Sequence, residues 1–95
     1  MRETVIEAYL RDHVKAAGGK AYKFISPGNN GVPDRLVVIP GRPDFFVETK
    51  ASGKKSTPLQ LAEQARLIRM GRTVYSEVDS KDKVDALLAK EIGKI

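Results

Sequence analysis

The stretch GVPDRLVVIPGRPDFFVETK, residues 31–50, decides the fold of this chain. It predicts a β-hairpin whose two arms cover residues 35–39 and 45–50, with a turn of proline, glycine and arginine at 40–43. Successive side chains point to opposite faces of a strand, so Glu48 and Lys50 project side by side, roughly 7 Å apart. Folding the hairpin brings Asp34, at the start of the first arm, alongside the end that holds Glu48.

Two carboxylates that converge beside an amine indicate a site for a hard cation. Mg²⁺ prefers oxygen ligands and keeps several waters, and the sequence does not distinguish it from Mn²⁺. An ammonium group beside the ion can polarise an attacking water and offset negative charge that grows on a phosphate. Asp34, Glu48 and Lys50 therefore predict a metal-assisted hydrolytic site. The alternative is an internal salt bridge between Glu48 and Lys50 with a purely structural role.

Length and composition limit the classes of protein that need to be considered. A chain of 95 residues predicts one domain over residues 1–95. The absence of cysteine excludes a disulfide framework and fits a reducing compartment, and one histidine without cysteine argues against a zinc site. No apolar run has the ~18–20 residues of a membrane span. A net charge of +5, from 17 basic and 12 acidic residues, suits a polyanionic partner such as nucleic acid.

Hydrophobic periodicity predicts the element order α-β-β-β-α-β-α. The first helix covers residues 3–17, and strands follow at 20–25, 35–39 and 45–50. The continuous apolar run at 36–39 predicts a strand that is covered on both faces. The last strand covers residues 73–78, with Val74, Ser76 and Val78 on one face, and the last helix runs from a cap at Asp79 or Ser80 through Lys94.

The second helix is predicted to begin after a cap at Ser56 or Thr57 and to end at Gly71. Its inner stripe is predicted to consist of Leu61, Ala65 and Ile68. Gln60 and Gln64 lie four residues apart and share another face of this helix. Gln60 is expected close to the strand end that holds Lys50. Gln64 is expected at the surface.

An extended motif connects these features to a known family. The string KFISPGNNGVPDR at residues 23–35, followed by FVETK at 46–50 and by Gln60, resembles the VRR-NUC branch of the PD-(D/E)xK nucleases. The resemblance covers roughly residues 3–88. It implies a restriction-endonuclease-like α/β core, in which helices flank a small mixed sheet, and hydrolysis of DNA phosphodiester bonds.

The resemblance also implies roles for individual residues. Asp34 and Glu48 would hold Mg²⁺ together with the backbone carbonyl of Thr49, while Lys50 would position or activate the nucleophilic water and Gln60 would support it. Members of the family add a glutamate from the first helix, which would bind the ion directly or through water. Glu7 matches that placement better than Glu3, so Glu7 is the expected residue. Whether a second metal joins during turnover stays open.

The expected partner is DNA. We expect nucleic-acid contacts from residues near the motif and from the basic loop that follows the hairpin, namely Lys23, Ser26, Arg35, Lys54 and Lys55. Stand-alone members of the family are frequently encoded by phages. The resemblance to them implies a homodimer that cuts four-way (Holliday) junctions in the cytoplasm. No contact with a membrane is expected. The alternatives are a nuclease of the same chemistry that acts on flaps, duplex or single strands, a non-catalytic nucleic-acid-binding module, and a structural or protein-interaction domain.

Overall fold

The computed structural model describes residues 1–93 and has the predicted order of elements. Lys94, the predicted last residue of the final helix, lies outside the described residues. No helix in residues 1–93 is both long and apolar enough to cross a membrane. In chain order the elements are α1 (Glu3–Ala16), β1 (Lys20–Lys23), β2 (Arg35–Val38), β3 (Phe45–Thr49), α2 (Pro58–Arg69), β4 (Val74–Val78) and α3 (Lys81–Ile92).

The four strands form one mixed sheet in the order β1-β2-β3-β4. β1, β2 and β3 pair antiparallel, whereas β4 runs parallel to β3. Arg35 lies opposite Val47 in the hairpin register. Continuing that register by one residue puts Asp34 across from Glu48, as the alternation in the sequence predicts.

The hydrophobic core lies between one face of the sheet and the helices α1 and α3. Phe45 and Val47 of β3 are buried in it, with 1% and 0% of their surface exposed. Fully burying an apolar side chain of this size contributes about 1.5–3 kcal/mol. The rest of the core comes from α1 (Ile6, Leu10, Val14), β1 and β2 (Ala21, Val37, Ile39), β4 (Val78) and α3 (Val84, Leu87, Leu88). The alternation of β3 therefore turns Glu48 toward the opposite face of the sheet, where α2 lies.

The orientation of α2 differs from the prediction. The predicted inner residues Leu61 and Ile68 are 52% and 55% exposed, and Ala65 beside them is also exposed. Gln64, for which the sequence predicts a surface position, is instead buried at 3% exposure, where it accepts a hydrogen bond from the Ser76 hydroxyl. The helix turns Gln60 and Gln64 to the sheet, because their side-chain oxygens accept hydrogen bonds from Lys50 and Ser76. An apolar stripe formed by Leu61, Ala65 and Ile68 consequently faces outward.

Two strands also differ from the predicted pattern. Leu36 and Val38 of β2 are only half-buried, because α2 packs mainly against β4 and leaves part of this sheet face open. In β4 the period of two is broken: Val47 pairs with Tyr75 but Thr49 pairs with Val78. A β-bulge in β4 thus moves Val78 to the core face, instead of the face that the alternation predicts for it beside Ser76.

Candidate active site

Asp34 is fixed at the end of the loop that leads into β2. Its Oδ1 accepts a hydrogen bond of 2.7 Å from the backbone N–H of Thr49, and its Oδ2 accepts one of 2.6 Å from the Thr49 hydroxyl. The backbone carbonyl of Asp34 accepts a further hydrogen bond from the N–H of Phe24. These bonds fix the carboxylate against the strand that also holds Glu48 and Lys50.

Two glutamates of α1 join Asp34 in an acidic cluster. Carboxylate oxygens of Glu3, Glu7 and Asp34 lie within 4.8 Å of one another. Burial raises the pKa of Asp34, and a hydrogen bond with the Glu7 carboxyl raises it further, while the bonds from Thr49 oppose that rise. Three carboxyl groups this close disfavour their shared negative charge, so the cluster favours a bound cation.

Both α1 candidates therefore reach Asp34, and the cluster does not select Glu7 over Glu3. Glu7 is half-buried and lies 3.7 Å from the Arg35 guanidinium. Glu3 is exposed and its Oε2 lies 3.5 Å from the Thr49 hydroxyl. Glu3 begins α1, where an acid is also favoured by the helix dipole.

Glu48 lies on the other face of β3 and is held by a different set of groups. Its Oε1 accepts a hydrogen bond of 2.6 Å from the Ser56 hydroxyl and one of 3.1 Å from the backbone N–H of Glu77. Its Oε2 is buried, has no hydrogen-bond partner within residues 1–93, and lies 3.9 Å from the Lys50 ammonium. Glu48 is not part of the cluster formed by Glu3, Glu7 and Asp34. A buried carboxylate oxygen without a partner is costly unless a cation approaches it.

Lys50 is fixed by α2. Its Nζ donates a 2.7 Å hydrogen bond to Oε1 of Gln60, and the same oxygen accepts one of 2.9 Å from the N–H of Thr57. Thr57 and Gln60 form a capping box in which Pro58 takes the first helical position. The start of α2 thus orients Lys50, which directly follows β3. The internal Glu48–Lys50 salt bridge considered from the sequence is present as a longer contact of 3.9 Å.

The expected nucleic-acid contacts fall into two groups. Lys23, Lys54 and Lys55 are exposed, and Ser26 is half-buried, its hydroxyl accepting a hydrogen bond from Asn29. Arg35 is different: it is 6% exposed and lies beneath the acidic cluster, so its guanidinium faces Glu7, Asp34 and the carbonyl of Ala21. A direct contact between Arg35 and DNA does not fit this burial.

Gly31 permits the close approach of the motif loop to α2. Its φ is +89°, and a Cβ at this position would lie 2.8 Å from the carbonyl oxygen of Leu59. A side chain would therefore meet backbone that cannot move without displacing the start of α2. The glycine in GVPD is required by packing next to the site, in addition to any contact with substrate.

Sequence reasoning missed two residues that contact the site. Ser56 directly precedes the cap residue of α2. A serine at this position is explained by helix capping, so the sequence does not indicate a contact with Glu48. Glu77 acts through its backbone N–H, which no sequence pattern marks. The Glu77 contact depends on the bulge in β4, and alternation alone cannot predict a bulge.

Comparisons with known proteins identify nuclease relatives of this chain. No protein-family model matches the chain. A phage protein named "Putative nuclease p44", from Acyrthosiphon pisum secondary endosymbiont phage 1, is 52% identical over 82 residues, which cover 86% of this chain and 87% of that protein. A solved structure described as "VRR_NUC domain" superposes with a TM-score of 0.82 at 33% identity, covering 90% of this chain and 92% of that one.

Proposed function

The chain belongs to the VRR-NUC family of phage-type nucleases, and from that premise we propose that it is a Mg²⁺-dependent endonuclease that hydrolyses DNA phosphodiester bonds. The observation that supports this most directly is the cluster of carboxylates from α1 and the GVPD loop. In the hairpin Asp34 lies across from Glu48, whose carboxylate lies 3.9 Å from the Lys50 ammonium. Mn²⁺ is expected to replace Mg²⁺, because both take oxygen ligands.

The residues present fit such a cation. Oε2 of Glu48, which accepts no hydrogen bond in residues 1–93, and the clustered oxygens of Asp34 and Glu7 offer the hard, negative ligands that Mg²⁺ prefers. In the proposed site Asp34, Glu48 and the backbone carbonyl of Thr49 hold the ion, and Glu7 binds it directly or through a water. When bound, the cation supplies Lewis acidity and neutralises charge on the phosphate.

The chain's own groups orient the attack. The Lys50 ammonium, held by Gln60, donates a hydrogen bond toward the nucleophilic water or a phosphate oxygen and offsets the charge that develops there. Gln60 acts through Lys50, because its side-chain oxygen is already occupied by Nζ and by the N–H of Thr57. The exposed Lys23, Lys54 and Lys55 attract the DNA backbone, and Ser26 contacts it from the motif loop.

We propose further that two copies act together on four-way junctions. Symmetric cutting of both strands requires two active sites related by a two-fold axis, whereas each chain offers one. The outward stripe of α2 suits a second copy. An antiparallel helix pair crossing at Ala65 would bring Leu61 of each copy against Ile68 of the other, and the small alanine allows close approach of the helices.

The substrate assignment is tested by comparing cleavage of a four-way junction, a flap, a duplex and a single strand of the same sequences. We expect the junction to be cut fastest, with paired incisions, and only when Mg²⁺ or Mn²⁺ is present. Equal rates on all four DNAs would leave the nuclease chemistry intact and contradict junction resolution. Binding without cleavage under every condition would support a non-catalytic module.

The dimer surface is tested by charge introduction. The double substitution Leu61→Glu and Ile68→Glu should convert the dimer to a monomer in sedimentation equilibrium, because four carboxylates would be buried at the interface. Paired cuts at the junction should become single nicks. Both residues are exposed in the isolated chain, so the unfolding temperature of the monomer should change little.

Met70→Glu is the matched control for that experiment. Met70 is 59% exposed but lies at the end of α2 beside Leu36 and Phe46, away from the stripe. This variant should sediment as the wild type does. A double variant that remains dimeric would show that the copies associate through another surface.

A further inference from the structure

One oxygen of Glu48 accepts two hydrogen bonds and the other accepts none, so the two oxygens of this carboxylate are not equivalent. The Ser56 hydroxyl and the Glu77 N–H both donate to Oε1. Oε2 has no hydrogen-bond partner in residues 1–93 and faces the Lys50 ammonium. The two donors therefore fix the rotation of the carboxylate about its last torsion, and so decide which oxygen is available.

The Glu77 N–H is available because β4 bulges at this point. Between the pairs Val47–Tyr75 and Thr49–Val78, one residue of β3, Glu48, faces two residues of β4. Glu77 has a φ of +52°, in the left-handed region that residues other than glycine rarely adopt. Regular pairing resumes at once, since the N–H of Lys50 donates to the carbonyl of Val78. The bulge thus releases one backbone donor from the ladder and directs it to Glu48.

Ser56 and Glu77 are also linked to each other. The N–H of Ser56 donates a 2.6 Å hydrogen bond to Oε2 of Glu77. The Lys83 ammonium donates to the carbonyl of Glu77, which supports the unusual backbone conformation from α3. The serine before α2 and the bulge in β4 therefore form one closed set of contacts around a single oxygen of Glu48.

We infer that Ser56 and Glu77 are positioning residues that fix Glu48 so that Oε2 alone is presented to the cation. This inference rests on the proposed function and extends it, because it explains how a buried glutamate on the α2 side of β3 supplies a single oxygen to a site shared with Asp34. Both residues donate to the Glu48 carboxylate, so each acts through Glu48.

Ser56→Ala tests the inference. It should weaken Mn²⁺ binding to the metal-free protein, measured by calorimetry, and lower kcat by about tenfold or more, because groups that orient a ligand tune its metal affinity on that scale. KM for DNA should stay within about twofold, since Ser56 holds a metal ligand and not the DNA. Ser56→Thr keeps the hydroxyl and should restore both values. Ser52→Ala is the matched control, because the Ser52 hydroxyl in the same loop contacts the Asp79 carbonyl instead of Glu48.

The role of Glu77 is tested without metal. In NMR spectra of the metal-free protein, the Glu77 amide proton should move upfield in Glu48→Gln, because a neutral amide accepts a weaker hydrogen bond than a carboxylate. An unmoved amide proton, or a Ser56→Ala variant that binds Mn²⁺ and cuts DNA as Ser52→Ala does, would overturn the inference and leave the nuclease proposal standing. A wild-type protein that neither binds Mn²⁺ nor cuts DNA would overturn the proposed function and the inference with it.

Discussion

Asp34→Asn and Glu48→Gln should each abolish DNA cleavage while the protein remains folded. Each change removes one negative ligand from the proposed cation site. A bound cation contributes several kcal/mol to the stability of the transition state, which corresponds to a rate loss of about 10³-fold or more when it is lost. Cleavage rates with saturating Mg²⁺, together with Mn²⁺ calorimetry, measure both consequences on the same samples.

The fold should tolerate both neutral side chains. In Asp34→Asn the amide would keep an oxygen for the N–H of Thr49. Burial raises the pKa of the Asp34 carboxyl, so the negative charge of Asp34 does not stabilise the metal-free fold. In Glu48→Gln the amide would keep an oxygen for Ser56 and Glu77. Asp44→Asn is the control, because Asp44 is an exposed acid in the turn between β2 and β3. Cleavage by either site variant at the rate of Asp44→Asn would remove that residue from the mechanism.

Lys50→Ala should lower kcat by roughly 10²-fold or more, since it removes an oriented positive donor from the position where charge develops on the phosphate. The Mn²⁺ affinity should not fall, because Lys50 is a cation and contributes no ligand. Lys50→Arg is not expected to restore the rate, because the planar guanidinium cannot take the place of a compact ammonium beside Gln60.

Lys54→Ala is the matched control for the lysine. Lys54 is exposed in the loop that follows β3, so its loss should raise KM and reduce the salt dependence of binding while kcat stays near that of the wild type. If Lys50→Ala behaved in this way too, with turnover retained, Lys50 would be one more contact to the DNA backbone. A non-catalytic binding module would show no turnover in any variant, and Lys50→Ala would then slightly change only its affinity for phosphate.

The hairpin was predictable because two independent signals agree there. The turn residues at 40–43 fix where the chain reverses, and the alternation of β3 fixes which side chains enter the core. The register that follows brings Asp34 across from Glu48. The order of elements follows from hydrophobic periodicity along the chain, and the membership of the family follows from the extended motif that includes this hairpin. Both are confirmed.

The orientation of α2 was not predictable from its own sequence. Periodicity identifies an apolar stripe but does not state whether the stripe faces the core, because folded proteins also expose apolar surface. The deciding contacts are made with other elements: Gln60 with Lys50 of the strand end, and Gln64 with Ser76 of β4. The helix that covers a polar site must present polar groups to it.

The acidic cluster was only partly predictable for a similar reason. A helix position close to the apolar stripe marks Glu7, but Glu3, one turn earlier in α1, also reaches Asp34. The contact of the Glu77 N–H with Glu48 depends on a bulge that breaks the two-residue period. Distances between elements that are far apart in the sequence depend on packing, which a pattern within one element does not contain.

The most direct test of the account is a crystal structure with Mn²⁺, in which the anomalous signal locates the ion. We expect one ion coordinated by the carboxylates of Asp34 and Glu48 and by the backbone carbonyl of Thr49, with Oε2 as the Glu48 ligand. An ion held by Glu3, Glu7 and Asp34 without Glu48, or no ion near Asp34, would contradict it.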